Sequence, residues 1–143
     1  MKIIIGCDHR GYELKLDLLK YLKNASYYVS DAGSDGVNMV DYPLIAKKVC
    51  EEVLEDEDNL GVLICGTGIG MSIAANKVKK IRCAKVSTEE EAALSRLHNN
   101  ANVIAISGTT SKDLAIRIID KFINTQFSNE ERHARRNNEI DNM

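Results

Sequence analysis

The sequence predicts an α/β fold: a three-layer α/β/α sandwich in which a five-stranded parallel, Rossmann-like sheet lies between two layers of helices. The first observation is that short runs such as KIIIGC (2–7) and LGVLIC (60–65) are apolar at nearly every position, as strands are when helices cover both faces of a sheet. The second is that segments with apolar residues at helical spacing alternate with these runs. At 143 residues, 44% of them hydrophobic, the chain is expected to form a single domain over 1–143.

The first half of the chain is expected to form two strand-helix units. Leu14, Leu18 and Leu22 recur at the spacing that places side chains on one face of a helix. Pro43 suits the first turn of the second helix, because that turn has no N–H partners to lose. The expected elements are a strand at Lys2–Cys7, a loop at Asp8–Gly11, a helix at Tyr12–Asn24, a strand near Tyr27–Asp31, a glycine-rich loop and a helix from Pro43.

The second half repeats this alternation and ends in a polar stretch. Thr88 is followed three residues later by Glu91, a pairing typical of a helix N-terminus. From Ser128 onward there are almost no apolar side chains, so we expect a polar tail. The expected elements are strands at Leu60–Cys65, Ile81–Val86 and Val103–Ile106, and helices at Ile69–Val78, Thr88–Leu97 and Leu114–Phe122.

Composition and charge argue against several functional classes. The 19 basic and 21 acidic residues are interspersed and give a net charge of -2, so no overall field draws the chain to nucleic acid or to an anionic membrane. The apolar run at the N-terminus is too short for a signal peptide or a membrane span, and we expect a cytoplasmic protein. The four cysteines show neither paired nor zinc-finger spacing, which argues against disulfides and a structural metal site.

The stretch LICGTGIG (63–70) is the main candidate for chemistry, because its three glycines allow a sharp turn that aims N–H groups at an anion or oxyanion. A dinucleotide-binding loop needs an acidic residue after the next strand, where the chain has Lys85-Val86-Ser87, and a P-loop needs Gly-Lys before Ser or Thr. A cysteine phosphatase needs an arginine where Met71 stands. Cys65, beside a helix N-terminus, is either a thiolate that acts as base or nucleophile or a small buried hydrophobe, and spacing leaves both open.

Polar residues elsewhere are candidates for the same site. Asp8 and His9 follow the first strand, at the edge where open α/β sheets bind ligands. The same position also suits Asp8 as a turn residue and His9 as a solvated loop histidine, so both alternatives stay open. His98, at the end of a predicted helix, is either an acid-base group or a helix cap. If the tail is helical, Arg132 and Arg136 share a face and repel each other unless an anion binds between them.

Six stretches together resemble a known family over nearly the whole chain. The longest, LGVLICGTGIGMSIAANKV (60–78), is highly specific by itself. The others are Gly6-Cys7-Asp8-His9 with Gly11, Asp41-Tyr42-Pro43, Ile81-Arg82, SRLHNNANVIA (95–105) and RHARR (132–136). They are similar to the type B ribose-5-phosphate isomerases, within a wider family that includes galactose-6-phosphate and allose-6-phosphate isomerases.

The resemblance implies an aldose-ketose isomerase of the non-oxidative pentose phosphate pathway. Its reaction would interconvert D-ribose 5-phosphate and D-ribulose 5-phosphate through a cis-enediolate, with no metal and no organic cofactor. The resemblance also implies a homodimer whose active sites are shared between subunits, or a tetramer of the same chain. Arg10 departs from the family's usual small or apolar residue, and because it adjoins His9 we hypothesise that it too approaches the phosphate.

Roles for individual residues follow from the same resemblance. Cys65 would be the base that moves a proton between C2 and C1, and Thr67 with the loop amides would stabilise the oxyanion. His98, assisted by Asp8, would open the furanose ring. The other implied substrate contacts are Asp41, Tyr42, Asn99 and the loop residues Gly66, Gly68, Ile69 and Gly70, with His9, Arg132 and Arg136 on the phosphate.

Two other functions compete with a pentose-phosphate isomerase. One is an isomerase of a hexose 6-phosphate, allose or galactose 6-phosphate, since one extra carbon needs only modest room. The other is a non-catalytic protein that binds sugar phosphates. The presence of Cys65, Thr67 and His98 argues against a pure binder, because binding alone needs no base.

Overall fold

The computed structural model describes residues 1–143, which form five strands and six helices. The strands are β1 (Lys2–Cys7), β2 (Tyr28–Asp31), β3 (Leu60–Cys65), β4 (Cys83–Lys85) and β5 (Val103–Ser107). The helices are α1 (Tyr12–Asn24), α2 (Tyr42–Val53), α3 (Ile69–Ala75), α4 (Glu89–Asn99), α5 (Lys112–Asn124) and α6 (Glu131–Asp141). None of these helices has both the length and the apolar character needed to cross a lipid bilayer.

All five strands are parallel and follow the order β2-β1-β3-β5-β4. Central strand β3 is hydrogen-bonded to β1 on one side and β5 on the other, and all six of its residues are buried. Helices α1, α4 and α5 cover a cluster of 19 buried apolar residues on one face, and α2 and α3 cover a second cluster of 13 on the other. The predicted three-layer sandwich is therefore confirmed.

Strand β4 is shorter than the predicted Ile81–Val86, because it is the outermost strand on its side and pairs only with β5. Beyond it lies Asn76, whose side-chain Nδ2 donates to the Cys83 carbonyl at 2.9 Å and whose Oδ1 accepts the Cys83 N–H at 2.8 Å. Helix α3 ends at Ala75, before the predicted end at Val78, with Asn76 as its C-cap. Asn76 thus follows the last turn of α3 in the chain, and its side chain binds the outer edge of the sheet.

Helix α6 forms inside the stretch expected as a polar tail, and polar contacts hold it. Asn137 is only 6% exposed and donates from Nδ2 to the His98 carbonyl at 3.1 Å. Nη1 of Arg82 donates to both carboxylate oxygens of Asp141, at 2.6 and 2.5 Å, which joins the end of α6 to the start of β4. Because these contacts span distant parts of the chain, the apolar spacing within 131–141 does not reveal them.

We expect Arg82→Ala to lower the free energy of unfolding by about 2 kcal/mol, because the change leaves a half-buried carboxylate and the carbonyls of Asn99 and Asn100 without their donor. Urea unfolding followed by circular dichroism measures the loss. Arg117→Ala is the matched control, since Arg117 pairs with Glu89 through more exposed side chains and such pairs contribute about 0.5 kcal/mol. Equal losses in the two variants would contradict the role of Arg82.

Candidate active site

The carboxyl ends of β1, β3 and β5 meet at one edge of the sheet, where open α/β sheets bind their ligands. The loop after β3 turns there directly into α3. Gly68 in this loop has a φ of +81°, and an added Cβ would lie 3.0 Å from the carbonyl carbon of Ile106 in β5. Glycine is therefore required at position 68, both for its backbone angle and for the close approach to β5.

An open pocket of about 490 Å³ lies over this loop, a volume within the range of small-molecule sites. Its lining residues are Asp8, Arg10, Tyr42, Cys65, Gly66, Thr67, Ile69, Gly70 and Ile73. All of these except Ile73 were singled out from the sequence, Arg10 by the hypothesis that it approaches the phosphate. A larger cavity of about 590 Å³, at the amino ends of the strands, contains none of the predicted residues.

Cys65 lies at the floor of the pocket and is 5% exposed. Its Sγ accepts the N–H of Gly68 at 3.2 Å, so a negative charge on the sulfur has a backbone donor. Thr67 Oγ1 accepts the N–H of Ile69 at 3.1 Å, which leaves the Thr67 hydroxyl proton free to donate. A base beside hydrogen-bond donors is what proton transfer next to a carbonyl group requires.

The other three cysteines pack against the apolar clusters, and Cys7 Sγ also lies 4.0 Å from Ser34 Oγ. Cys7, whose place at the end of a strand resembles that of Cys65, packs into the larger apolar cluster, and burial raises the pKa of its thiol. Burial also raises the pKa of Cys50 and that of Cys83 to about 12. These thiols stay protonated near neutral pH, as expected for residues that serve packing.

Three consecutive residues after β1 have different surroundings. Asp8 is 7% exposed, and its Oδ1 accepts the N–H groups of Arg10 at 2.9 Å and Gly11 at 3.2 Å, so it is a turn residue that also lines the pocket. His9 is exposed and lies outside the pocket lining. The Arg10 side chain runs along Gly66, where an added Cβ would lie 3.0 Å from its Cδ and 3.3 Å from its Nη1.

Asp41 and Tyr42 lie at the start of α2, beside the pocket. Asp41 occupies the N-cap position, but its exposed side chain makes no capping hydrogen bond. The Tyr42 ring packs on Gly70, where an added Cβ would lie 2.7 Å from Cζ and 2.9 Å from the hydroxyl oxygen. The absence of a side chain at Gly70 therefore makes room for an aromatic wall of the pocket.

A second polar cluster lies on α4 and α6, outside the pocket lining. The rings of His98 and His133 stack, with centroids 4.5 Å apart and planes 13° apart. The pKa of His133 is lowered, first by burial and then by neighbouring His98 and Arg132, and its Nε2 has no hydrogen-bond partner. Arg132 and Arg136 are exposed, and Arg132 pairs with Glu130 at 3.0 Å. Sequence reasoning did not select His133, whose only signal is its place in RHARR.

The predicted site residues thus fall into two groups on one chain. The group around Cys65 lines the pocket, whereas His98, Asn99, Arg132 and Arg136 lie on α4 and α6 and do not line it. His9 and Asp41 are exposed and belong to neither group. Two apolar side chains of the pocket lining are also well exposed to solvent, Ile69 at 53% and Ile73 at 64%.

Comparisons with known proteins agree on one family. The family model described as Ribose/Galactose Isomerase matches residues 3–140. Ribose-5-P isomerase B of Listeria innocua is 41% identical over 129 residues, which are 90% of this chain and 87% of that protein. The galactose-6-phosphate isomerase subunit LacB of Clostridium acetobutylicum is 41% identical over 128 residues, 89% of this chain and 74% of that protein. The solved structure of Clostridium thermocellum ribose-5-phosphate isomerase B superposes with a TM-score of 0.94 at 44% identity, covering 99% of this chain and 96% of that one.

We expect iodoacetamide at pH 8 to modify Cys65 before the other three cysteines. The reagent attacks thiolates, Cys65 opens onto the pocket, and the raised pKa of Cys50 and Cys83 keeps those thiols protonated. Peptide mass spectrometry at increasing reaction times gives the order of modification. Cys65→Ser serves as the control, since it should remove the fast-reacting site and leave the slow ones; faster labelling of Cys50 or Cys83 would contradict this order.

Proposed function

The chain belongs to the ribose/galactose isomerase family and is a sugar-phosphate isomerase, and we propose that it interconverts D-ribose 5-phosphate and D-ribulose 5-phosphate. The observation that carries the proposal is the Cys65 thiol, which faces the pocket with a backbone N–H on its sulfur and the Thr67 hydroxyl nearby. The choice of a pentose is supported by the names of the Listeria innocua and Clostridium thermocellum proteins, both ribose-5-phosphate isomerases B.

In the proposed reaction, the Cys65 thiolate removes the proton from C2 of open-chain ribose 5-phosphate. The electron pair of that bond forms the C1–C2 double bond, and the oxygen on C1 becomes negative in a cis-enediolate. The donors for this oxygen are the Thr67 hydroxyl and the loop N–H groups other than those of Gly68 and Ile69, which are bonded within the loop. The thiol then returns the proton to C1 while the C2 hydroxyl proton passes to the C1 oxygen, so the carbonyl group ends at C2 with no atom gained or lost.

We propose that a second copy of the chain supplies the rest of the site. The groups on α4 and α6 do not line the pocket of their own chain, so they are free to serve the pocket of a partner. The exposed Ile69 and Ile73 offer apolar surface at the pocket for that partner to cover. In this homodimer His98, with Asp8 of the pocket, opens the furanose ring, Asn99 and Asp41 contact the sugar, and Arg132 and Arg136 join His9 on the phosphate.

A hexose 6-phosphate is the second candidate substrate. The LacB subunit, named for galactose 6-phosphate, shares 41% identity with this chain, the same value as the Listeria innocua protein. The pocket is open to solvent, so a sixth carbon does not by itself exclude a substrate. Direct comparison of the three sugar phosphates therefore decides the question.

We expect the purified protein to convert ribose 5-phosphate to ribulose 5-phosphate in excess EDTA, faster than it isomerises allose or galactose 6-phosphate. Cys65→Ser should lower kcat by roughly 10²–10⁴-fold, the usual contribution of a general base, and should still bind the substrate. Cys83→Ser is the control, since that thiol lies outside the Cys65 pocket and should keep its turnover. Faster turnover of a hexose phosphate would show that the hexose phosphate is the preferred substrate. Near-normal turnover by Cys65→Ser would contradict the role of Cys65 as the base.

We expect a heterodimer of one Cys65→Ser chain and one His98→Asn chain to recover about half of the wild-type activity, whereas each variant alone is slow. One of its two shared sites contains both native residues and the other contains neither. Co-expression with two affinity tags isolates the heterodimer for assay. If it is no more active than the parent variants, Cys65 and His98 do not act across a subunit boundary.

A further inference from the structure

Arg10 is the only cationic side chain that lines the Cys65 pocket. Its backbone is fixed, because its N–H donates to Asp8 Oδ1 at 2.9 Å and its carbonyl oxygen would lie only 2.5 Å from a Cβ added at Gly108. From this fixed backbone position the side chain extends along Gly66, the residue after Cys65. The guanidinium is therefore held over the loop that carries the thiol.

The Arg10 guanidinium has no partner within the chain. Four other arginines, Arg82, Arg117, Arg132 and Arg135, each bind a carboxylate. Arg10 takes part in none of the ion pairs and its side chain makes no hydrogen bond, while the nearby Asp8 carboxylate accepts backbone N–H groups instead. An unpaired guanidinium at a pocket is free to bind an anionic group of a ligand.

The two ends of the pocket lie at different depths. Cys65, at 5% exposure, forms the floor, whereas Arg10 is exposed and forms part of the rim. The carbon atoms that exchange a proton must reach the sulfur at the floor. A phosphate dianion is the part of a sugar phosphate that costs most to desolvate, so it stays at the rim. That end of the pocket is where the guanidinium lies.

We propose that Arg10 binds the phosphate group of the substrate, as a contact from the same chain that supplies Cys65. The identity of this ligand rests on the proposed function. A guanidinium presents donors in a planar fork that fits two phosphate oxygens at once, which an ammonium group does not. Because the contact is with the phosphate and not with C1 or C2, its loss weakens binding of the substrate more than it slows the chemical step.

Three variants test this role with ribose 5-phosphate as substrate. Arg10→Met keeps a long side chain along Gly66 but removes the charge, Arg10→Lys keeps the charge without the fork, and Arg117→Met is a surface control outside the site. We expect Arg10→Met to raise KM roughly tenfold or more with kcat within about threefold, Arg10→Lys to recover part of the loss, and Arg117→Met to match the wild type. The inhibition constant of inorganic phosphate should rise in parallel with KM in Arg10→Met.

Other results would overturn the assignment. An unchanged KM in Arg10→Met, or equal KM values in Arg10→Met and Arg10→Lys, would mean that the charge of Arg10 does not bind the substrate. A fall in kcat at constant KM would place Arg10 on the reacting oxygen instead of the phosphate. If the wild type turns over no ribose 5-phosphate, the proposed function fails. Calorimetric titration of the wild type and Arg10→Met with inorganic phosphate then still tests whether Arg10 binds phosphate. Weaker binding by the variant supports the contact, and equal binding refutes it.

Discussion

Burial of strand β3 on both faces is the constraint on which the site depends. Alternate side chains of a strand point to opposite faces of the sheet. Val62 and Ile64 accordingly join the cluster under α1, α4 and α5, and Leu63 and Cys65 join the cluster under α2 and α3. A slip of one residue would move the thiol to the other helical layer, away from the loop that donates to it. The apolar packing that fixes the strand register therefore also determines which face the sulfur occupies.

Main-chain hydrogen bonds connect the loops of three strands around that sulfur. The N–H of Asp8 donates to the Ile64 carbonyl at 3.1 Å, and the N–H of Gly108 donates to the Cys65 carbonyl at 2.7 Å. The Gly68 backbone packs against Ile106 from the same edge. Because these contacts are made within the chain itself, they hold the loop in place. In the proposed reaction its donors would then need little rearrangement when charge develops on a substrate oxygen, which is the arrangement that contributes most to electrostatic catalysis.

The parts of the structure that sequence reasoning reached are those encoded locally. The continuous apolar runs of β1 and β3 predicted buried parallel strands, and LICGTGIG predicted a sharp turn after β3, because both patterns depend on neighbours in the chain. At Gly68 and Ile69, however, the N–H groups donate to Cys65 Sγ and Thr67 Oγ1 within the turn and do not point outward as predicted. The docking of α6 was not predicted, since it rests on Arg82 and Asp141, which are 59 residues apart. Likewise, no spacing rule places His133 on His98 or directs the Arg10 side chain along Gly66. Such contacts depend on where distant elements meet.

The division of polar groups between the pocket and the α4–α6 cluster also divides the cationic side chains. Arg132 and Arg136 stand on one face of α6, near the stacked rings of His98 and His133, and Arg132 is paired with Glu130. The Cys65 pocket holds one acid and one cation, Asp8 and Arg10. Of these cations, Arg10 in the pocket and Arg136 on α6 have no carboxylate partner within the chain. In the proposed homodimer the two surfaces come together, and both ends of a phosphorylated sugar would then have a matching environment.

The Asn76 side chain also affects how copies of the chain can associate. An outermost strand normally offers unpaired N–H and C=O groups, on which a strand of another molecule can add and extend the sheet into an aggregate. At Cys83 in β4, the carboxamide of Asn76 already occupies both groups. Strand addition at this position is therefore blocked, and a short polar side chain covers part of the edge at which the sheet could otherwise extend.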